Sequence, residues 1–207
     1  MHVILYGATG KAGSRILKEL LARGHKVTAV VRKSAELPAG VAIKHDDLSN
    51  VDHIAATIAG ADAVVSAYGP PPDNTDLVIG ATARLVDAVR KADVPRLIVV
   101  GGAASLEVAP GVTLLASGHV PEPWLPIATS HSKVLEMLRG SDINWTYFSP
   151  AGFLEPGERT GKFRLGKDSL VVDANGQSRI SMEDYAIALV NELEKPAHER
   201  ARFTIGY

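Results

Sequence analysis

Gly7-Ala8-Thr9-Gly10-Lys11-Ala12-Gly13 is a glycine turn spaced to hold a pyrophosphate. It follows the apolar run His2-Val3-Ile4-Leu5-Tyr6 and opens the amphipathic stretch 14–23, so the chain begins as strand, turn, helix. Each glycine has a task there. Gly7 allows the tight reversal, Gly10 lets backbone approach a phosphate, and Gly13 lets the helix lie close on the strand. The unpaired N–H groups and positive dipole end of that helix then face the anion. A dinucleotide bound there also presents a ribose 2′ position. Folds selective for the free 2′-hydroxyl end their second strand in Asp or Glu, which repels a 2′-phosphate. This chain has Arg32-Lys33 at that point, and Lys11 reaches the same region from the turn, so the charge pattern favours NADP over NAD.

Positioning these residues takes a parallel sheet. Short β-branched runs alternate with helical patterns, the signature of an α/β doubly wound parallel sheet with helices on both faces. The patterns predict strands over 26–32, 41–44, 63–67, 96–100 and 144–148, and helices over 14–23, 51–59, 77–92 and 130–139. Ser181-Met182-Glu183-Asp184 reads as a capping box opening a last helix to about Lys195. Between them, residues 103–129 hold Pro110, Pro121, Pro123 and Pro126 and read as a long irregular connection of the kind that forms lids. No linker or repeat interrupts the chain. It is expected to be one domain over 1–207, with a cofactor-binding core over 1–150 and a small C-terminal substrate-side segment over 151–207.

Composition narrows the partners. The formal net charge is -1 and the cations are not gathered into runs, which argues against nucleic acid and anionic membranes. No apolar run approaches the roughly 18 residues of a membrane span, and the N-terminus enters a strand at once, so a cytoplasmic location is expected. With no cysteine, disulfides, thiolate chemistry and cysteine-held metal are excluded, and no metal site is expected. An apolar helix face looks the same in a core and across a dimer, so monomer and homodimer both stay open.

The turn, Asp47-Leu48 after the third strand, Ala67-Tyr68-Gly69 after the fourth and Ser149-Pro150 after the sixth resemble the atypical short-chain dehydrogenase/reductases, a Rossmann-type group. The runs 23–32, 99–106, 145–150, 155–161 and 202–207 narrow the resemblance to the NAD(P)H-flavin reductase family, relatives of the biliverdin reductase B type within the NmrA-like branch. The likeness covers nearly the whole chain and is weakest over 113–132. It implies that Gly7, Thr9, Gly10, Lys11, Ala12 and Gly13 hold the pyrophosphate and Arg32 the 2′-phosphate. Asp47 and Leu48 would line the adenine, while Ala67, Tyr68, Gly69, Ser149 and Pro150 would flank the ribose and nicotinamide.

The chain departs from full short-chain dehydrogenases where they keep their acid. Those enzymes use a Tyr-x-x-x-Lys pair, in which Lys lowers the phenol pKa, with a Ser after the fifth strand. Here Thr129 stands four residues before Lys133, and the Ser position is Ala103, with Ser105 displaced by two. His131, whose imidazole titrates near neutral pH, is the candidate substitute, so Ser105, His131 and Lys133 are the catalytic candidates. Reduction of a flavin such as FMN or FAD, or of a quinone-like acceptor, needs no such acid, because proximity and orientation of flat rings suffice. Trp124 and Phe153 are candidate stacking surfaces, and Arg159 either holds an acidic group of the substrate or pairs with a glutamate within its turn. Two further readings remain: an NADP-binding redox sensor without catalysis, and epimerase or dehydratase chemistry, which needs the missing Tyr.

Overall fold

The N-terminal run alternates between two cores. In β1 (His2–Tyr6), Val3 and Leu5 enter one apolar cluster while Ile4 and Tyr6 enter another, so a strand covered on both faces reads as unbroken apolar sequence. The computed structural model describes residues 1–207. After β1 come α1 (Lys11–Ala22), β2 (Lys26–Val31), β3 (Ala42–His45), α2 (Val51–Ile58), β4 (Ala63–Ser66), α3 (Leu77–Lys91) and β5 (Leu97–Val100). A hairpin of β6 (Glu107–Ala109) and β7 (Val112–Thr113) leads through a 3-10 turn to α4 (Leu125–Arg139) and β8 (Trp145–Ser149). The chain ends with β9 (Phe153–Glu155), β10 (Arg164–Gly166), β11 (Arg179–Ser181), α5 (Met182–Glu194) and β12 (Ala201–Gly206).

Eight strands form one sheet in the order β10-β12-β8-β5-β4-β1-β2-β3, parallel except for β10. Helices α2, α3 and α4 cover one face through Ile54, Leu85 and Leu135; α1 and α5 cover the other through Ile16, Leu20 and Leu189. This is the expected Rossmann-type architecture. Because β1 lies between β4 and β2, the connections leave to opposite sides there and open a crevice at the strands' C-terminal ends.

Several expectations change. Helix α4 starts at Leu125 and not at 130, since Pro126 sits in the first turn, where a missing N–H costs nothing. The segment over 103–129 is not free of structure: Glu107 N–H donates to the Asp168 carbonyl and Leu170 N–H to the Glu107 carbonyl, stitching it to the loop after β10. The boundary at residue 150 does not divide the sheet, because β12 lies inside it between β10 and β8.

Only half of the capping box forms. Ser181 Oγ accepts from Asp184 N–H at 3.0 Å, but the Asp184 carboxylate turns to the loop 156–161. It accepts there from the N–H groups of Thr160 and Gly161, both at 2.8 Å, and from the hydroxyls of Thr160 and Tyr207. Burial raises the Asp184 pKa, and these hydrogen bonds outweigh it, leaving the carboxyl below its usual range. Glu183 adds a bond from Gly157 N–H and an ion pair with Arg15 of α1, so the start of α5 is the anchor of this loop.

Candidate functional site

The glycine turn builds the floor of a cleft at the sheet's switch point. Gly7 has φ +79°, and a Cβ there would stand 2.2 Å from the Ala67 carbonyl oxygen of the neighbouring strand's exit. A Cβ on Gly13 would stand 2.0 Å from the Gly7 carbonyl oxygen, so turn and helix touch backbone to backbone. Gly10 differs. Its nearest neighbour would be the Gly7 carbonyl at 3.3 Å, and the rest of its Cβ direction is open. Helix α1 has no capping side chain at Gly10 and no acid in its first turn, and the N–H groups of Lys11, Ala12 and Gly13 have no acceptor in the protein. That is an anion cradle: free donors and a positive helix end with no competing carboxylate.

A cavity of about 410 Å³ lies over this floor. Its walls are Tyr6 and the turn, the ends of β2 with Arg32, residues 46–48 after β3, and Ala67, Tyr68 and Gly69 after β4; Met182 of α5 closes one side. Arg32 and Lys11 are exposed and make no ion pair, whereas Lys33 does not line the cavity.

One wall residue was missed by the sequence reading. Asp47 is exposed and is spent on its own turn, accepting from Ser49 N–H at 3.0 Å; that hydrogen bonding to Ser49 holds its carboxyl below the usual range. The residue turned inward is Asp46, with a side chain 1% exposed. Its Oδ1 accepts from Leu48 N–H at 2.6 Å, and its Oδ2 has no hydrogen-bond partner, with His53 Nδ1 3.8 Å away. The Tyr6 hydroxyl is also buried and unpartnered; burial, then the Asp46 charge, push its pKa well above the usual value and keep it a donor. Leu48 is held at φ +62°, uncommon for a branched residue, by Asp46 on its N–H and by Arg84 Nε, 2.5 Å from its carbonyl. Two orphaned polar atoms in a cleft wall fit a ligand that brings hydroxyl or amino groups to that wall.

The expected catalytic and substrate residues do not gather there. Ser105 Oγ accepts from Arg202 Nη1 at 3.1 Å and is taken up by that contact with β12. His131 packs on Gly102, its Nδ1 is buried without a partner, and burial pushes its pKa down to about 4. A neutral imidazole at pH 7 is no proton donor of the expected kind. Thr129 and Lys133 are exposed and bond to nothing in the protein. Tyr147 does not take over the acid's role, since its hydroxyl accepts from Gly102 N–H and donates to the His131 carbonyl, both at 2.9 Å, joining β5 to α4.

Arg159 makes a two-pronged pair with Glu19 of α1, at 3.0 and 2.9 Å, and not with a glutamate of its own turn. Ser149 and Pro150 are buried at the end of β8, with Ser149 Oγ unpartnered, and do not reach the cavity wall. Trp124 and Phe153 are 65% and 63% exposed, outside the cavity.

A family model described as NAD(P)H-binding matches residues 7–196. The chain belongs to the NAD(P)H-binding family. Solved relatives agree over full length. A candidate exported protein from Burkholderia pseudomallei is 45% identical, with a TM-score of 0.93 and 100% of both chains covered. A candidate epimerase from Bacteroides thetaiotaomicron is 44% identical, with a TM-score of 0.92 over 100% of this chain and 96% of that one. A candidate NADH-flavin reductase from Streptococcus pneumoniae is 34% identical, with a TM-score of 0.92 over 100% and 99%. The matched NAD(P)H-binding segment begins at Gly7, the first residue of the turn, and takes in every residue of the cleft wall except Tyr6. No helix of the chain is long and apolar enough to cross a membrane.

Proposed function

We propose that this NAD(P)H-binding oxidoreductase uses NADPH to reduce a flat flavin-like or quinone-like acceptor, such as FMN or FAD, in the cytoplasm. The observation that carries the reading is the free anion cradle of α1 beside two unpaired cations, Lys11 and Arg32. Bound NADPH supplies a hydride. Lys11, Ala12 and Gly13 donate backbone N–H groups to its pyrophosphate, Arg32 faces the 2′-phosphate, and Asp46 and Tyr6 satisfy their orphaned atoms on the adenosine half. Ala67, Tyr68 and Gly69, which line the same cavity, would contact the rest of the nucleotide. The exposed ring of Trp124 would offer the acceptor a stacking surface outside that cavity, with solvent providing the proton.

NADPH is expected to bind at least about tenfold tighter than NADH, roughly 1.4 kcal/mol. Arg32→Ala should erase most of that margin and leave NADH affinity nearly unchanged, as read by isothermal titration with each nucleotide. Equal losses for both would make Arg32 a structural residue.

NADPH oxidation assayed with FMN, FAD and quinones tests the chemistry. Trp124→Ala should raise the KM for the acceptor and spare NADPH affinity, while Thr129→Ala and Lys133→Ala change turnover by less than about tenfold, below the loss of a general acid. Collapse of turnover in Lys133→Ala with NADPH still bound would overturn this mechanism. A second reading, an NADP-binding sensor, is favoured by the neutral His131 and the unengaged Thr129 and Lys133. Tight NADPH binding with no reduction of any acceptor would decide for it.

A further inference from the structure

At the other end of the sheet, Trp145 at the start of β8 and Arg202 near the start of β12 line a second cavity of about 340 Å³. Five basic side chains meet there, Arg139, Lys167, His198, Arg200 and Arg202, with Asp168 as the one carboxylate. The four Arg and Lys charges exceed that carboxylate by three, in a chain whose net charge is -1. Asp168 is divided between two guanidiniums: it accepts from Arg202 at 2.9 and 2.6 Å, and Arg139 lies 3.9 Å away. Lys167 pairs with nothing. The Arg200 guanidinium reaches only the Ser141 carbonyl, at 3.4 Å.

The surroundings hold Arg202 and His198 in place, while Arg139, Lys167 and Arg200 stand exposed around them. The Arg202 side chain is 4% exposed and is also bonded to Ser105, and the His198 ring is stacked on Phe203 and held by Glu192. Arg200 has φ +51°, a conformation that costs an ordinary side chain about 1–3 kcal/mol and that tends to persist where function requires it. Clustered cations repel one another, and planar guanidiniums match the oxygens of a phosphate group in pairs.

We propose that this cavity is an oxyanion site for a small ligand of the phosphate class, separate from the nucleotide cleft. The glycine cradle is the competing acceptor, so the test uses Gly10→Val protein as well as wild type. Inorganic phosphate and pyrophosphate are titrated calorimetrically into the full chain at constant ionic strength in chloride. One saturable site should persist in Gly10→Val and with NADPH in excess, and Lys167→Gln with Arg200→Gln should weaken it at least about tenfold without lowering the melting temperature. Absence of saturable binding in Gly10→Val, or binding unchanged by the double substitution, overturns the proposal.

Discussion

Gly10→Val should abolish binding of both NADPH and NADH while the protein melts within a few degrees of wild type. The backbone at Gly10 has φ −76° and ψ 171°, an extended conformation that valine adopts without strain. The added Cβ needs only a few tenths of an ångström from the Gly7 carbonyl at 3.3 Å, so the fold has no reason to fail. Its two methyl groups, however, stand over the free N–H groups of the α1 first turn. At least about 100-fold in affinity should be lost, roughly 2.7 kcal/mol, by titration with either nucleotide. Gly13→Ala is the informative contrast. Its Cβ would meet the Gly7 carbonyl at 2.0 Å, backbone against backbone, and should destabilise the fold itself by about 1–3 kcal/mol. A Gly10→Val protein that binds NADPH normally would move the nucleotide site elsewhere.

The second large effect is on stability. Glu192 of α5 accepts from Arg96 Nη2 at 2.5 Å, from the N–H groups of Ala197 and His198 at 3.0 and 2.9 Å, and pairs with His198 Nδ1 at 2.7 Å. Both side chains of the Arg96–Glu192 pair are buried, at 5% and 4% exposure. Glu192→Ala strands a buried guanidinium and should cost about 3–5 kcal/mol, a drop of roughly 6–20 °C in melting temperature for a chain of this size. Burial raises the Glu192 pKa, but the bonds from His198, Ala197 and Arg96 prevail and leave it below the usual carboxylate range. Its stabilisation is therefore complete above the unfolded value near 4.5 and is lost as pH falls through the lower folded value. Glu19, Glu183, Asp184 and Glu194 shift the same way, so wild type should lose stability below about pH 5. The difference between wild type and Glu192→Ala should shrink as pH falls. A difference that stays constant down to pH 3 would remove Glu192 from this role.

The parts of the molecule legible in the sequence are those written locally. The glycine turn needs only its neighbours, and β1, β2, β4, β5 and β8 announce themselves because strands buried on both faces are largely apolar, with only short polar side chains such as Thr28, Ser66 and Thr146 among them. Asp46 was hidden by a one-residue register: Asp46 N–H bonds to the Val31 carbonyl and extends the β2–β3 ladder, which turns Asp46 inward and leaves Asp47 to the turn. The partners of Ser105 and Arg159 were hidden for another reason. Those partners, Arg202 and Glu19, lie 97 and 140 residues away in sequence, and no local pattern announces such a pairing. The burial of His131 under Gly102 is likewise a property of the packed helix and not of its periodicity.

Strand β12 is not at the margin of the sheet but between β8 and β10, far from both in sequence. If it comes loose, two edges are bared at once, that of β8 and that of β10. The Tyr207 hydroxyl that bonds Ser181 and Asp184 would leave with it and release the start of α5. A molecule with β12 undocked is therefore an open sheet, a substrate for chaperones and for a second copy's strand.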